Sequence, residues 1–157
     1  MKNTEQTQNN QEEMNRITAE VMDHIMNPRN YGKMEEANGI GMAVDKKTGE
    51  FAMVYVDIEN DKLENITFGC NACQDTVVAG SLFTEMVKGD SVENSKKAAS
   101  LMDEKLEVAP KRQQTCPRMV LKAFEAAIVN SNNRKLGNDE DMYTIDLKES
   151  CEGINIQ

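Results

Sequence analysis

The sequence predicts an α+β domain in which a small three-stranded antiparallel sheet is accompanied by about five helices. Three observations carry this expectation. Alternate positions Ala52, Val54, Val56 and Ile58 make one aliphatic face, the two-residue period of a half-buried strand. Short links rich in turn formers join that segment to its neighbours, which favours an antiparallel meander. Beyond residue 75 the apolar spacing changes to three and four, the period of helices packed on a core.

In chain order, residues 1–15 are Asn, Gln, Glu and Thr with almost nothing to bury, and they read as a disordered leader. A helix follows, with Ile17, Val21 and Ile25 four residues apart and Met22 beside them, until Pro28 ends it. His24, the single histidine, lies on this helix and reads as a surface or hydrogen-bonded structural residue. Breaker residues make Asn27-Pro28-Arg29-Asn30-Tyr31-Gly32 a loop. Residues 40–44 form a first strand, Asp45 to Gly49 a turn, Ala52 to Ile58 a second strand, Asn60-Asp61 another turn, and Leu63 to Phe68 the third strand.

The rows Val78, Leu82, Met86 and Ala79, Phe83, Val87 then mark a helix beginning near Thr76 and stopped by Gly89. Ser91 caps a helix through about Ser100, and residues 101–108 make a further short one ended by Pro110. The clearest period starts at Cys116 and continues through Met119, Val120, Ala123, Phe124, Ala127 and Ile128, with Pro117 suited to a first turn. Beyond Asn130 the chain turns polar and acidic; Met142 to Leu147 is a candidate added strand, and Cys151 lies in the tail. The domain is expected over residues 16–131, with a polar C-terminal extension over residues 132–157.

Composition narrows the function. A net charge of −9 argues against nucleic acid and against an anionic membrane surface, since both need clustered Lys and Arg. No run of about 18 apolar residues would span a bilayer, and no signal peptide stands behind the polar N-terminus, so a cytoplasmic location is expected. With no Trp and 4% aromatic residues, the core falls to Met, Val, Ile, Leu and Ala. In a reducing compartment the four cysteines are candidates for ligands, redox thiols or packing residues before structural disulfides.

Two of the four stand in Phe68-Gly69-Cys70-Asn71-Ala72-Cys73, where a strand is expected to end at Phe68, Gly69 to let the backbone turn, and a helix to follow. Thiols at a helix start are expected to be biased toward thiolate by the helix dipole. The spacing of Cys70 and Cys73 lets both sulfurs reach one metal, and Cys116 opens a second helix. The same residues are compatible with a redox dithiol, or with Cys73 and Cys116 as small buried apolar side chains.

From about Ala19 to Asn130 the chain resembles the U-type iron–sulfur cluster assembly scaffolds, the IscU proteins and the N-terminal domain of NifU. The resemblance is carried by four stretches: Val21 to Gly32, Phe68-Gly69-Cys70, Ser81 to Gly89, and Cys116 opening an Ala-rich helix that ends Ala126-Ala127-Ile128. It implies a small antiparallel sheet covered by helices on one face, in the element order already read from periodicity.

It also implies three cysteines brought together from a Cys-Gly-Asp turn, a Gly-Cys turn and a His-Cys helix start. Here the first is Thr48-Gly49-Glu50, the second Gly69-Cys70 and the third Thr115-Cys116, so one cysteine and the histidine are replaced. The proline-rich segment before the helix, which relatives present to a chaperone, is reduced to Ala109-Pro110-Lys111-Arg112. Cys73 is extra and is the candidate replacement for the missing thiol, with Glu50 as a hard oxygen donor completing the set.

The expected cargo is an iron–sulfur cluster, 2Fe-2S or 4Fe-4S, with zinc as the alternative metal, held by Cys70, Cys73, Cys116 and Glu50. The expected role is that of a scaffold or carrier and no enzyme. Sulfur would come as persulfide from a cysteine desulfurase with Cys116 as acceptor, and the cluster would go to acceptor apo-proteins. Coordination across a homodimer is a further expectation. The competing readings are a zinc-dependent sulfur acceptor and a binding or regulatory module that kept the fold and lost the cluster.

Overall fold

In a computed structural model, residues 19–108 and 114–148 are described. Residues 19–26 are helical (α1). The remaining elements are β1 (Gly39–Val44), β2 (Phe51–Glu59), β3 (Lys62–Cys70), α2 (Gln74–Val87), α3 (Val92–Glu107), α4 (Thr115–Lys135) and β4 (Tyr143–Asp146). The leader, the 109–112 segment and Cys151 fall outside the described residues. No helix among the described residues is long and apolar enough to cross a membrane.

The expected meander is present: β1 pairs antiparallel with β2, and β2 with β3. Its second turn is a two-residue hairpin in which Asn60 and Asp61 both take positive φ, 52° and 61°. That backbone matches the twist of the flanking strands, and Asn and Asp tolerate it better than most side chains. In the first turn Gly49 supplies the left-handed residue, at φ 77°, and its N–H bonds back to the Asp45 carbonyl.

Among the described residues the sheet has four strands: the three of the meander and a fourth inside the candidate added strand, Met142 to Leu147. β4 adds beside β1 in parallel, giving the order β3-β2-β1-β4. A network centred on Asn130 and Arg134 ties the approach to β4 onto α4: the Asn130 amide donates to the Glu140 carboxylate, and Arg134 donates to the carbonyls of Glu140 and Asp141. Four helices lie among the described residues rather than about five, because α3 runs unbroken where two short helices were expected. Nothing between Val92 and Glu107 breaks a helix, and the Ser91 hydroxyl accepts from the Asn94 N–H as its cap.

Ala52, Val54, Val56 and Ile58 of β2 and Leu63, Ile66 and Phe68 of β3 face the helices and are buried. α4 is the central helix, contributing Met119, Val120, Ala123, Phe124 and Ala127 to the same core. It rests directly on β1, where a Cβ at Gly41 would lie 2.1 Å from the Ala127 nitrogen and 2.2 Å from the Ala123 carbonyl oxygen. Only glycine permits so close an approach. α2 buries Ala79, Phe83 and Val87, while Met86 of the other expected row is exposed. Phe83 meets Phe124 edge-on at 5.0 Å, which joins α2 to α4.

His24 is a structural residue. Buried on α1, its Nδ1 lies 2.6 Å from the Ser81 hydroxyl of α2. The following loop runs back along the edge of the sheet, where Phe68 N–H donates to the Asn30 carbonyl and Gly32 N–H to the Phe68 carbonyl. Tyr31 stacks edge-on against Phe68 at 5.3 Å.

Candidate functional site

Three chain segments meet at one end of the sheet. Gly69 and Cys70 are not a turn: they are the last residues of β3, paired with Met53 and Ala52. Gly69 has no left-handed φ, and a Cβ there would meet nothing within 4 Å. The chain turns only at Asn71-Ala72, because the ladder continues as far as β2 has partners to offer. Cys73 is the N-cap of α2, with extended backbone at φ −67° and ψ 167°. Cys116 is the second residue of α4 and is 5% exposed, against partial exposure for Cys70 and Cys73.

The helix starts are tied together by Thr76, fully buried, whose hydroxyl donates to the Cys116 carbonyl at 3.1 Å and lies 3.7 Å from the Cys73 sulfur. Cys73 and Cys116 are in side-chain contact, and Cys70 feels the charge of both Cys73 and Glu50. Charge reaches from Glu50 to Cys70 and from Cys73 to Cys70, while contact joins Cys73 to Cys116, so the four groups do not close into a cage. Among the described residues no three His, Cys, Asp or Glu side chains converge as a ready metal pocket.

Thiolate is not favoured here. Burial pushes the Cys70 thiol above its ordinary value, with the Cys73 and Glu50 charges adding to it and the Ala72 N–H only partly opposing it. Burial likewise raises Cys73, reinforced by its contact with Cys116. The expected helix-dipole bias is therefore overturned, because desolvation of the anion outweighs a partial charge at the helix end. A bound cation would reverse this balance by stabilising the deprotonated sulfurs.

Glu50 sits just ahead of β2. Its N–H donates to the Thr48 hydroxyl, so Thr48, which the resemblance sets in the place of a cysteine, shapes the turn. The Glu50 Oε2 atom is buried without a hydrogen-bond partner among the described residues. An orphaned carboxylate oxygen beside a thiol is costly in the empty protein and is the donor a cation would satisfy. Three soft thiols and one hard oxygen suit iron or zinc. A cavity of about 360 Å³ between α3 and α4, lined by Arg118, Leu121 and Ile128 among others, contains no cysteine.

Two residues to which the sequence assigned no role at the site, Asn71 and Tyr31, bond to its backbone. Asn71 makes three hydrogen bonds to residues 49–51, and its position directly after a strand-end cysteine was the available clue. Tyr31 donates from its hydroxyl to the Cys70 carbonyl at 3.2 Å, a contact across 39 residues that no local pattern reveals.

A small sheet with helices on one face, and with Cys70, Cys73 and Cys116 at one strand end and two helix starts, defines an α+β domain of the scaffold type that the sequence resembles. The NifU-like N terminal domain family matches residues 16–137, and the chain belongs to that family. It is 31% identical over 133 residues to the iron-sulfur cluster assembly scaffold protein IscU 1 of Archaeoglobus fulgidus, covering 84% of this chain and 86% of that one. It is 40% identical over 76 residues to the iron-sulfur cluster assembly scaffold protein IscU of Aquifex aeolicus, covering 46% and 48% of the two chains. The fold is shared with the crystal structure of a putative iron-sulfur cluster assembly scaffold protein for the SUF system from Fervidobacterium islandicum, at TM-score 0.57 and 18% identity over 68% of this chain and 91% of that one.

Proposed function

We infer that this chain is an iron–sulfur cluster assembly scaffold or carrier that gathers iron and sulfide at Cys70, Cys73 and Cys116, with Glu50 as an oxygen donor, and passes the cluster to acceptor apo-proteins. The observation that carries the reading is the buried, unpartnered Glu50 Oε2, whose charge reaches Cys70, in a domain of this family that holds three thiols at the same end of the sheet. Cys73 takes the place of the thiol that Thr48 replaces. A weak, hard donor at one end of the set suits transient holding, since the cargo must leave again.

Sulfur supply as persulfide from a cysteine desulfurase belongs to this reading. Cys116 is the least exposed of the three thiols, so an incoming persulfide meets Cys70 or Cys73 before it. The role is that of a carrier, not a catalyst. Completion of the coordination by a second copy of the chain is compatible with a set that does not close into a cage.

Anaerobic reconstitution with ferrous iron and sulfide tests the proposal. The expected product is brown, with visible sulfur-to-iron charge-transfer absorption and equal acid-labile sulfide and iron, and Cys70→Ala abolishes the colour. A colourless protein that binds its full iron would sink the idea.

Zinc is the second reading, favoured by the count of four donors. Stoichiometric zinc after purification without chelators, together with desulfurase stimulation lost in Cys116→Ser, would select it. Ready alkylation of all three thiols in the native protein, with no metal copurifying, would leave a binding module without a cluster.

A further inference from the structure

We propose that Asn71 is the positioning residue that holds the Glu50 carboxylate in register with the thiols; the proposal rests on the reading of Glu50 as an oxygen donor. The β2–β3 ladder pairs Ala52 with Cys70, so the next pair in register is Phe51 with Asn71. That pair is made in a mixed way. Asn71 N–H donates to the Phe51 carbonyl at 3.2 Å, but Phe51 N–H donates to the Asn71 side-chain Oδ1, at 2.7 Å, instead of a backbone carbonyl. The side-chain amide also donates to the Gly49 carbonyl at 3.3 Å.

The side chain thereby does the work of one more strand residue. It keeps the ladder paired through Phe51 while releasing its own carbonyl, which lets the chain bend at once toward Cys73 and the start of α2. Asn is suited to this because its amide carries both an acceptor and donors in the geometry of a peptide group. The three bonds bracket Glu50, with one to Gly49 before it and two to Phe51 after it. The Cys70–Cys73 turn and the Glu50 turn are thus clamped at the point where they must share a cargo. The loose alternative is a Glu50 side chain that escapes to water, since its Oε2 has no hydrogen bond to hold it.

Anaerobic titration of the reduced, metal-free protein with Co2+ tests the clamp, with a metal-free arm beside it. Asn71→Ala and Glu50→Gln are each expected to weaken Co2+ binding about tenfold, the scale of loss for supporting residues of a metal site. The double variant is expected to be no weaker than either single one, because both remove the same donor. The thiolate-to-cobalt charge-transfer intensity should stay at the wild-type level while the visible ligand-field bands shift alike in both variants. In Asn71→Ser, a shorter side chain with one acceptor, binding should recover part of the way.

Losses that add in the double variant, or Asn71→Ala binding Co2+ as the wild type does, would overturn the proposal. In the metal-free arm, amide hydrogen exchange at Phe51 should rise at least tenfold in Asn71→Ala, and unchanged exchange overturns the clamp whatever the metal does. Failure of the wild-type protein to give any thiolate charge transfer with Co2+ would instead overturn the donor set, and Glu50's part in it, with the exchange result still deciding whether Asn71 holds the turn.

Discussion

Replacing Gly41 by alanine drives a methyl group into the backbone of α4. The new Cβ would lie 2.1 Å from the Ala127 nitrogen, 2.2 Å from the Ala123 carbonyl oxygen and 2.6 Å from the Ala126 carbonyl carbon. No rotamer relieves a clash with backbone, so the helix itself must move. Opening the shortest contact to the 3.4 Å of ordinary packing asks for a retreat of about 1.3 Å. Overpacking costs about 1–3 kcal/mol, and the upper end applies because the whole α4–β1 contact loosens with the helix.

Against a total stability of about 5–15 kcal/mol the loss is large, and for a chain of this size it lowers Tm by about 6–12 °C. The same retreat uncovers Cys116 at the start of α4, which should alkylate faster under native conditions. Gly69→Ala is the control, because a Cβ there meets nothing within 4 Å and the backbone is not left-handed; it should stay within about 0.5 kcal/mol of wild type. Thermal and urea unfolding measure both variants. If Gly41→Ala melts within 2 °C of the wild type, as a roughly neutral change would, or Gly69→Ala is the more damaging change, the packing argument fails.

Three further outcomes follow from the same structure. Asn130 is fully buried, accepting from the Ile40 N–H at 2.9 Å and donating to Glu140 at 3.0 Å, so Asn130→Ala should cost about 2 kcal/mol and speed amide exchange in β4; β4 protection at the wild-type level would refute this. Thr76→Val keeps the volume but removes the hydroxyl bonded to the Cys116 carbonyl, and should cost about 1 kcal/mol while leaving the core packed; an unchanged urea midpoint counts against that bond. Cys70 and Cys73 are both raised in the folded protein, so they contribute stability fully present below the unfolded thiol value of about 8.5 and lost as pH rises through the folded values. The metal-free protein should therefore lose urea resistance above about pH 8.5, and a midpoint that climbs between pH 8.5 and 10 would contradict the sign.

Much of the fold was legible because it is written in local periods. The alternation in β2 faces its aliphatic side chains to the helices as expected, and the run from Cys116 to Ile128 is the buried stripe of α4. The Asn60-Asp61 turn was legible for the same reason: a two-residue hairpin needs residues that accept positive φ. Less legible was the end of β3. Gly69 reads locally as a place to turn, yet the ladder continues through Cys70, because hydrogen-bond partners on β2 are worth more than the freedom of a glycine.

The sequence by itself determined the strands of the meander, the helical stripes, and Cys70, Cys73 and Cys116 as the chemically distinctive residues, since each depends on spacing within a few positions. Tertiary structure decided the rest. β4 joins β1 across about a hundred residues, where no local period can announce a parallel pairing. The Cys73–Cys116 contact, the orphaned Glu50 oxygen and the Asn71 hydrogen bonds exist only because β3 ends where β2, α2 and α4 begin. The raised values of the Cys70 and Cys73 thiols were settled there too. A helix start is visible in sequence, but the burial that outweighs its dipole is produced by the packing of distant segments.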